Sequence, residues 1–280
     1  MFEYAFARRL AFETESIVKL DSENGFKRDF FERDYSLSNF NIVLAPAGDM
    51  ELRKYRFFNG SYSGRAFEKL NSSFKTGMNY IVKEEKYFGF YDNLLSIKGE
   101  RYYDGYWQNL NYFECIREIL LEEFELNIPM AGKPAEISAE IEGCESAGIH
   151  IRKPHAFKGD LIDKRTMEIF EIVEAEYYIK AVEMLKLKVP EARLFVFTED
   201  LVYANALLKG INYEKIICGK QHEDMVLMSR CRHQIISNST FSWWSAWLNR
   251  NCGKIVIAPR YWFKDRNLCP ESLLKDLILI

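Results

Sequence analysis

His222-Glu223-Asp224-Met225-Val226-Leu227-Met228-Ser229-Arg230-Cys231-Arg232 is followed by His233-Gln234-Ile235-Ile236-Ser237-Asn238, then by Ser239-Thr240-Phe241-Ser242-Trp243-Trp244-Ser245-Ala246-Trp247-Leu248, and, a few residues later, by Lys254-Ile255-Val256-Ile257-Ala258-Pro259. Apolar spacing reads these as a helix, a strand, a polar turn opening a tryptophan-rich helix, and another strand. Ile235-Ile236 running into Asn-Ser-Thr brings hydroxyl side chains and free backbone N–H groups to a helix start. Such a place suits an anion of phosphate type. The plainer reading is that Ser239 or Thr240 only caps a structural helix, and spacing alone leaves both open.

Upstream, the same alternation repeats. Ile149-His150-Ile151 is a strand, 168–188 carries a helix, Leu194-Phe195-Val196-Phe197 is a strand, and Leu201 to Lys209 is a helix. Lys215-Ile216-Ile217-Cys218 is a further strand before the helix from Asp224. Strands alternating with helices predict an α/β domain with a parallel sheet, right-handed crossovers and ligands beyond the carboxyl ends of the strands. A stretch with Gly and Glu around Pro134 puts a boundary at 130–140, giving an N-terminal domain over 1–135 and a C-terminal one over 136–280.

The first domain is less regular. Phe2, Ala5, Phe6 and Leu10 share a helix face starting at residue 1, with no strand or capping residue before it. Ser16 to Asp21 and Asn41 to Pro46 read as short strands, and Asn111 to Leu126 repeats apolar residues at helical spacing. Between 50 and 110 the chain is aromatic and charged, with turns at Asn59-Gly60 and Ser63-Gly64 and the phrase Asp104-Gly105-Tyr106-Trp107-Gln108.

The formal net charge of -3 supplies no broad basic field, which argues against a nucleic-acid partner. No stretch is as apolar as a membrane span and the start lacks a secretory pattern, so the expected location is cytoplasmic, with a peripheral place at the inner face of the membrane left open. Six cysteines lie scattered without a C-x-x-C pair, and reduced thiols are expected rather than a metal site.

Four strand ends offer polar groups where a ligand belongs: His150 with Arg152; Thr198, Glu199 and Asp200; Gly219 leading to His222 and Asp224; and Asn238, Ser239 and Thr240. Arg152 is the first choice for a diphosphate, because a guanidinium makes paired charge-assisted hydrogen bonds and stays charged at any working pH. The competing reading makes it a surface residue ending an edge strand. Adjacent Glu199 and Asp200 point apart on a strand end, so Asp200 is read as a helix cap rather than half of a metal pair.

The run from His233 to Leu248 strongly resembles the signature of the bacterial galactoside alpha-1,2-fucosyltransferases, which have a GT-B-like architecture of two Rossmann-like domains. His150-Ile151-Arg152, Phe197-Thr198-Glu199-Asp200, Tyr177-Tyr178, Gly105-Tyr106-Trp107-Gln108 and Pro259-Arg260-Tyr261-Trp262-Phe263 resemble further phrases of that family. The resemblance implies an inverting transfer of fucose from GDP-fucose to the 2-hydroxyl of a terminal galactoside. It implies His150 and Asp224 near the guanine, Arg152 on the diphosphate as the catalytic group, and Asn238, Ser239 and Thr240 in the donor site. No metal and no other cofactor is expected. The sequence singles out no catalytic base.

Departures are also visible. The family's His-x-Arg-Arg-Gly-Asp motif is interrupted here by Lys153 to Lys158, and Ser245 stands where the family has Gly. Met1 to Arg8 resembles a helix that in relatives follows a strand and a Gly-Gly-Leu-Gly-Asn-Gln turn. These departures keep two other readings in play: a glycosyltransferase for another nucleotide sugar, and an inactive nucleotide-binding protein.

Overall fold

The computed structural model describes residues 1–24, 26, 35–56, 81–153, 168–217 and 219–280. The chain divides into one unit of Met1–Ser38 with Ile42–Glu123 and a second of Asn39–Asn41 with Phe124–Ile280. The turns expected at Asn59-Gly60 and Ser63-Gly64, and the interruption from Pro154 to Lys158, lie outside the described residues.

In the first unit, α1 (Phe2–Thr14) buries Phe2, Tyr4, Ala5, Phe6 and Leu10 along one face. Phe6 stacks on Trp107 at 4.4 Å between centroids, and Tyr112 meets it edge-on at 5.0 Å. Buried Glu123 accepts from the Tyr4 hydroxyl at 2.5 Å and pairs with Arg8 at 2.7 Å, which compensates the loss of water around its charge. A short α2 (Asp49–Arg56) precedes β1 (Ile81–Lys83), which pairs in parallel with β2 (Tyr102–Asp104). The stretches at 16–21 and 41–46 are not strands: they meet in one parallel bridge between Leu20 and Pro46. Pro46 has no N–H to extend a ladder, and Ile17 and Val43 face solvent at 91% and 63% exposure. The apolar run from 111 becomes two 3-10 turns and then α3 (Arg117–Glu123).

The second unit is the regular one. After α4 (Lys133–Glu142) come β3 (Ser146–Ile151), α5 (Ala175–Lys188), β4 (Arg193–Thr198), α6 (Leu201–Leu207) and β5 (Lys215–Ile217). Then follow α7 (Gln221–Arg230), β6 (His233–Ile235), α8 (Thr240–Leu248), β7 (Val256–Ala258), α9 (Glu271–Leu274) and β8 (Ile278–Leu279). The six strands are parallel in the order β5-β4-β3-β6-β7-β8. The chain thus starts inside the sheet, winds out to β5, and returns to the other side at β6, so the winding direction switches between β3 and β6.

Every residue of β3 is buried, as a central parallel strand requires. Ala147, Ile149 and Ile151 join Leu194, Val196, Ile235 and Ile257 in a core with Tyr178, Ala181 and Leu185 of α5. The alternate residues Gly148 and His150 face the other layer. A Cβ at Gly148 would come within 3.0 Å of Met228 and 3.2 Å of Cys231, so glycine lets α7 approach the sheet closely.

Candidate functional site

Where the winding switches, a group of side chains expected from the sequence comes together. His150, second from the end of β3, is buried, and its Nδ1 lies 2.8 Å from the Ser237 hydroxyl just beyond β6. Its ring packs on Phe241, in the first turn of α8, with centroids 4.9 Å apart. Burial first, and the neighbouring Arg152 charge second, push its pKa down to about 3, so the imidazole is neutral at physiological pH. A neutral ring keeps one donor and one acceptor, and among the described residues only Nδ1 has a hydrogen-bond partner.

Arg152 follows β3 directly, and its Nη1 reaches the Ser239 hydroxyl at 3.5 Å. Ser239 is the N-cap residue of α8, but its side chain makes no capping bond to the helix. The first-turn amides of α8, which no carbonyl inside a helix can satisfy, therefore share their end with a guanidinium and a hydroxyl rather than with their own cap. Thr240, the first helical residue, is exposed there. Positive partial charge of the helix start, a full positive charge and hydroxyl donors on one spot make a place for a phosphate group.

Two tyrosines of α5 brace these strand ends from the opposite layer. The Tyr177 hydroxyl donates to the carbonyls of Ile236 at 2.6 Å and Ile257 at 3.1 Å, and Tyr178 donates to the His150 carbonyl at 3.2 Å. Burial raises both phenols far above their usual range, so they remain donors. The sequence marks this pair only as a family phrase; its targets are main-chain groups on other strands.

The remaining expected residues are held by contacts of their own. Asp224, near the start of α7 after β5, is buried and accepts the Gly219 N–H at 2.8 Å. Burial raises its pKa, and the Gly219 bond partly opposes this. Asn238 donates its amide to the carbonyls of Glu171 at 2.7 Å and Trp262 at 3.2 Å, tying the loop after β6 to the segments beside it. Asp200 caps α6 through the Tyr203 N–H at 2.8 Å and pairs with Lys153 at 2.6 Å. Among the described residues no group of three or more His, Cys, Asp or Glu could hold a metal ion, and no helix is long and apolar enough to cross a membrane. The tryptophans of α8 are core: Trp243, Trp244 and Trp247 are buried against one another.

A family model described as Glycosyl transferase family 11 matches residues 71–275. The chain is 31% identical over 287 residues to an alpha-1,2-colitosyltransferase of Escherichia coli, covering 98% of this chain and 94% of that protein. It is also 31% identical over 199 residues to the O-antigen biosynthesis glycosyltransferase WbnK of Escherichia coli, covering 68% of this chain and 64% of that one.

Proposed function

This chain belongs to glycosyl transferase family 11 and is a glycosyltransferase, and from that premise we propose that it moves L-fucose from GDP-fucose to the 2-hydroxyl of a terminal galactoside in a polysaccharide precursor. The observation that carries the donor half is the meeting of neutral His150, Arg152 and Ser239 at the start of α8, on the switch between β3 and β6. In this reading the diphosphate lies on Arg152, Ser239, Thr240 and the first amides of α8. His150 and Asp224 serve the guanine, and Asn238 holds the loop that carries Ser239.

The reaction inverts the anomeric carbon: the acceptor hydroxyl attacks as the bond to GDP breaks through an oxocarbenium-like state. Negative charge grows on the departing diphosphate, and Arg152 with the helix amides stabilises it in place, without reorganisation. We include in the proposal a GT-B-like class and a transfer that needs no metal ion.

A second reading has its own support, since the relative matched over 98% of this chain is named a colitosyltransferase. Colitose is fucose without one ring hydroxyl. A site that hydrogen-bonds that hydroxyl rejects the sugar lacking it by about 10⁴-fold, whereas a site that merely accommodates it discriminates weakly. The test is to supply GDP-fucose or GDP-colitose with a galactose-terminated disaccharide, measure released GDP, and assign the new linkage by NMR. A 2-linked fucosyl product sustains the proposal. Turnover of GDP-colitose alone replaces the sugar, turnover of UDP-sugars alone replaces the nucleotide, and GDP binding without any transfer makes the chain an inactive binder.

A further inference from the structure

Two loops of the first unit carry features that the donor site does not use. Tyr87 and Tyr106 are 59% and 57% exposed, with ring centroids 6.1 Å apart and planes 38° from parallel. Each precedes an aromatic residue in the left-handed backbone region, Phe88 at φ 63° and Trp107 at φ 54°. For a residue with a bulky ring that conformation is strained, and it persists only where surrounding bonds impose it.

Those bonds are present. Asn109 donates its side-chain amide to the Phe88 carbonyl at 2.6 Å and its backbone N–H to the Trp107 carbonyl at 2.9 Å. Glu84, just past β1, accepts the Tyr106 N–H at 2.8 Å and donates its own N–H to the Asp104 carbonyl at 3.0 Å. Trp107 is buried, and a Cβ at Gly105 would come within 2.5 Å of the Glu84 Cβ, so glycine is what lets the second loop close onto Glu84. Among the described residues the other Glu84 oxygen, Oε1, is buried with no hydrogen-bond partner. Burial holds this carboxyl above its usual range, against the Tyr106 and Trp107 N–H groups. Strain at two aromatics and a carboxylate oxygen with no partner among the described residues are costs concentrated around one exposed pair of rings.

We propose that Tyr87 and Tyr106 form a platform for a neutral sugar ring of the acceptor glycan, with Glu84 as the positioning residue that fixes Tyr106 beside Tyr87. A sugar ring offers a C–H face and a rim of hydroxyls; a held tyrosine offers a π face and a polar tip at little cost in side-chain freedom. Lys83, Glu85, Lys86 and Asp104 are exposed nearby, two cations against two carboxylates, which gives polar ends for hydroxyls and no net field favouring a charged partner.

This inference rests on the glycosyltransferase reading, and its test separates the two. Lactose, N-acetyllactosamine and cellobiose are titrated against the full chain by saturation-transfer NMR, with GDP calorimetry run alongside. At least one disaccharide binds, Tyr87→Ala and Tyr106→Ala weaken it about five- to tenfold, Tyr106→Phe keeps it, and GDP affinity is the same in all. Glu84→Ala weakens it as well, and Glu84→Gln, which retains an acceptor for the Tyr106 N–H, restores it. Equal disaccharide binding in the alanine variants, or no binding of any of the three to the unmodified chain, overturns the platform. Absence of GDP binding with disaccharide binding intact would sink the donor assignment and leave the platform standing.

Discussion

His150 makes the pH dependence of stability a direct readout of the switch-point geometry. Its ordinary pKa is 6.5 and burial takes it to about 3 in the folded chain. Below the ordinary value the unfolded chain takes up a proton that the folded chain refuses. The stability contributed by the neutral ring is therefore complete above the unfolded pKa and is lost as pH falls from there towards the folded pKa. At about pH 5 the loss is about 1.4 kcal/mol for each unit below 6.5, or about 2 kcal/mol from this one side chain. His150→Gln keeps a hydrogen-bonding group for Ser237 and removes the titration. Urea unfolding followed by tryptophan fluorescence at about pH 8 and about pH 5 should show the unmodified chain losing about 2 kcal/mol more than the variant. Every other ionisable group is common to both proteins and drops out of the difference. Equal losses, or an imidazole signal from His150 titrating near the ordinary value, would refute the buried neutral ring.

Other consequences are tested separately. Tyr177→Phe removes a donor from the carbonyl of Ile236 and from that of Ile257, which keeps the Ile236 N–H; urea unfolding should show a loss of about 1–3 kcal/mol, as for a buried hydrogen-bonding group deprived of its partner. Lys153→Ala breaks a pair whose lysine is 42% exposed, so its cost should stay below about 1 kcal/mol and shrink further in high salt. Saturating EDTA should leave the transfer rate unchanged, measured as GDP release; abolition restored by a divalent cation would bring a metal into the mechanism.

How much of this is legible in the sequence depends on how local the determining interaction is. β3, β4, β6 and the tryptophan helix are readable because their apolar residues sit at strand and helix spacing within a few positions, and the Asp200 cap is readable for the same reason. The stretches at 16–21 and 41–46 have strand-like composition but expose Ile17 and Val43, and burial, rather than β-branching alone, is what makes a strand. β8 spans only Ile278–Leu279, too short for a period to declare itself. The site is half legible. His150, Arg152, Ser239 and Thr240 stand out as polar groups at strand ends. The bond from His150 to Ser237 joins residues 87 positions apart, and the Tyr177 hydroxyl reaches carbonyls 59 and 80 positions away. Nothing at either end announces such partners. Asn238 looks in sequence like its neighbours Ser239 and Thr240, yet its amide donates to the carbonyls of Glu171 and Trp262, because the loop needs those bonds to hold its path.

In the proposed donor complex a guanosine diphosphate sits on Arg152 and the start of α8. Calorimetric titration of GDP into the full chain, beside Arg152→Ala and with UDP as the comparison nucleotide, tests it most directly. GDP should bind, UDP should bind more weakly, and Arg152→Ala should weaken GDP by about 10- to 100-fold, the loss of a charge-assisted pair to phosphate. Undiminished GDP affinity in Arg152→Ala, or heat from UDP and none from GDP, would contradict it.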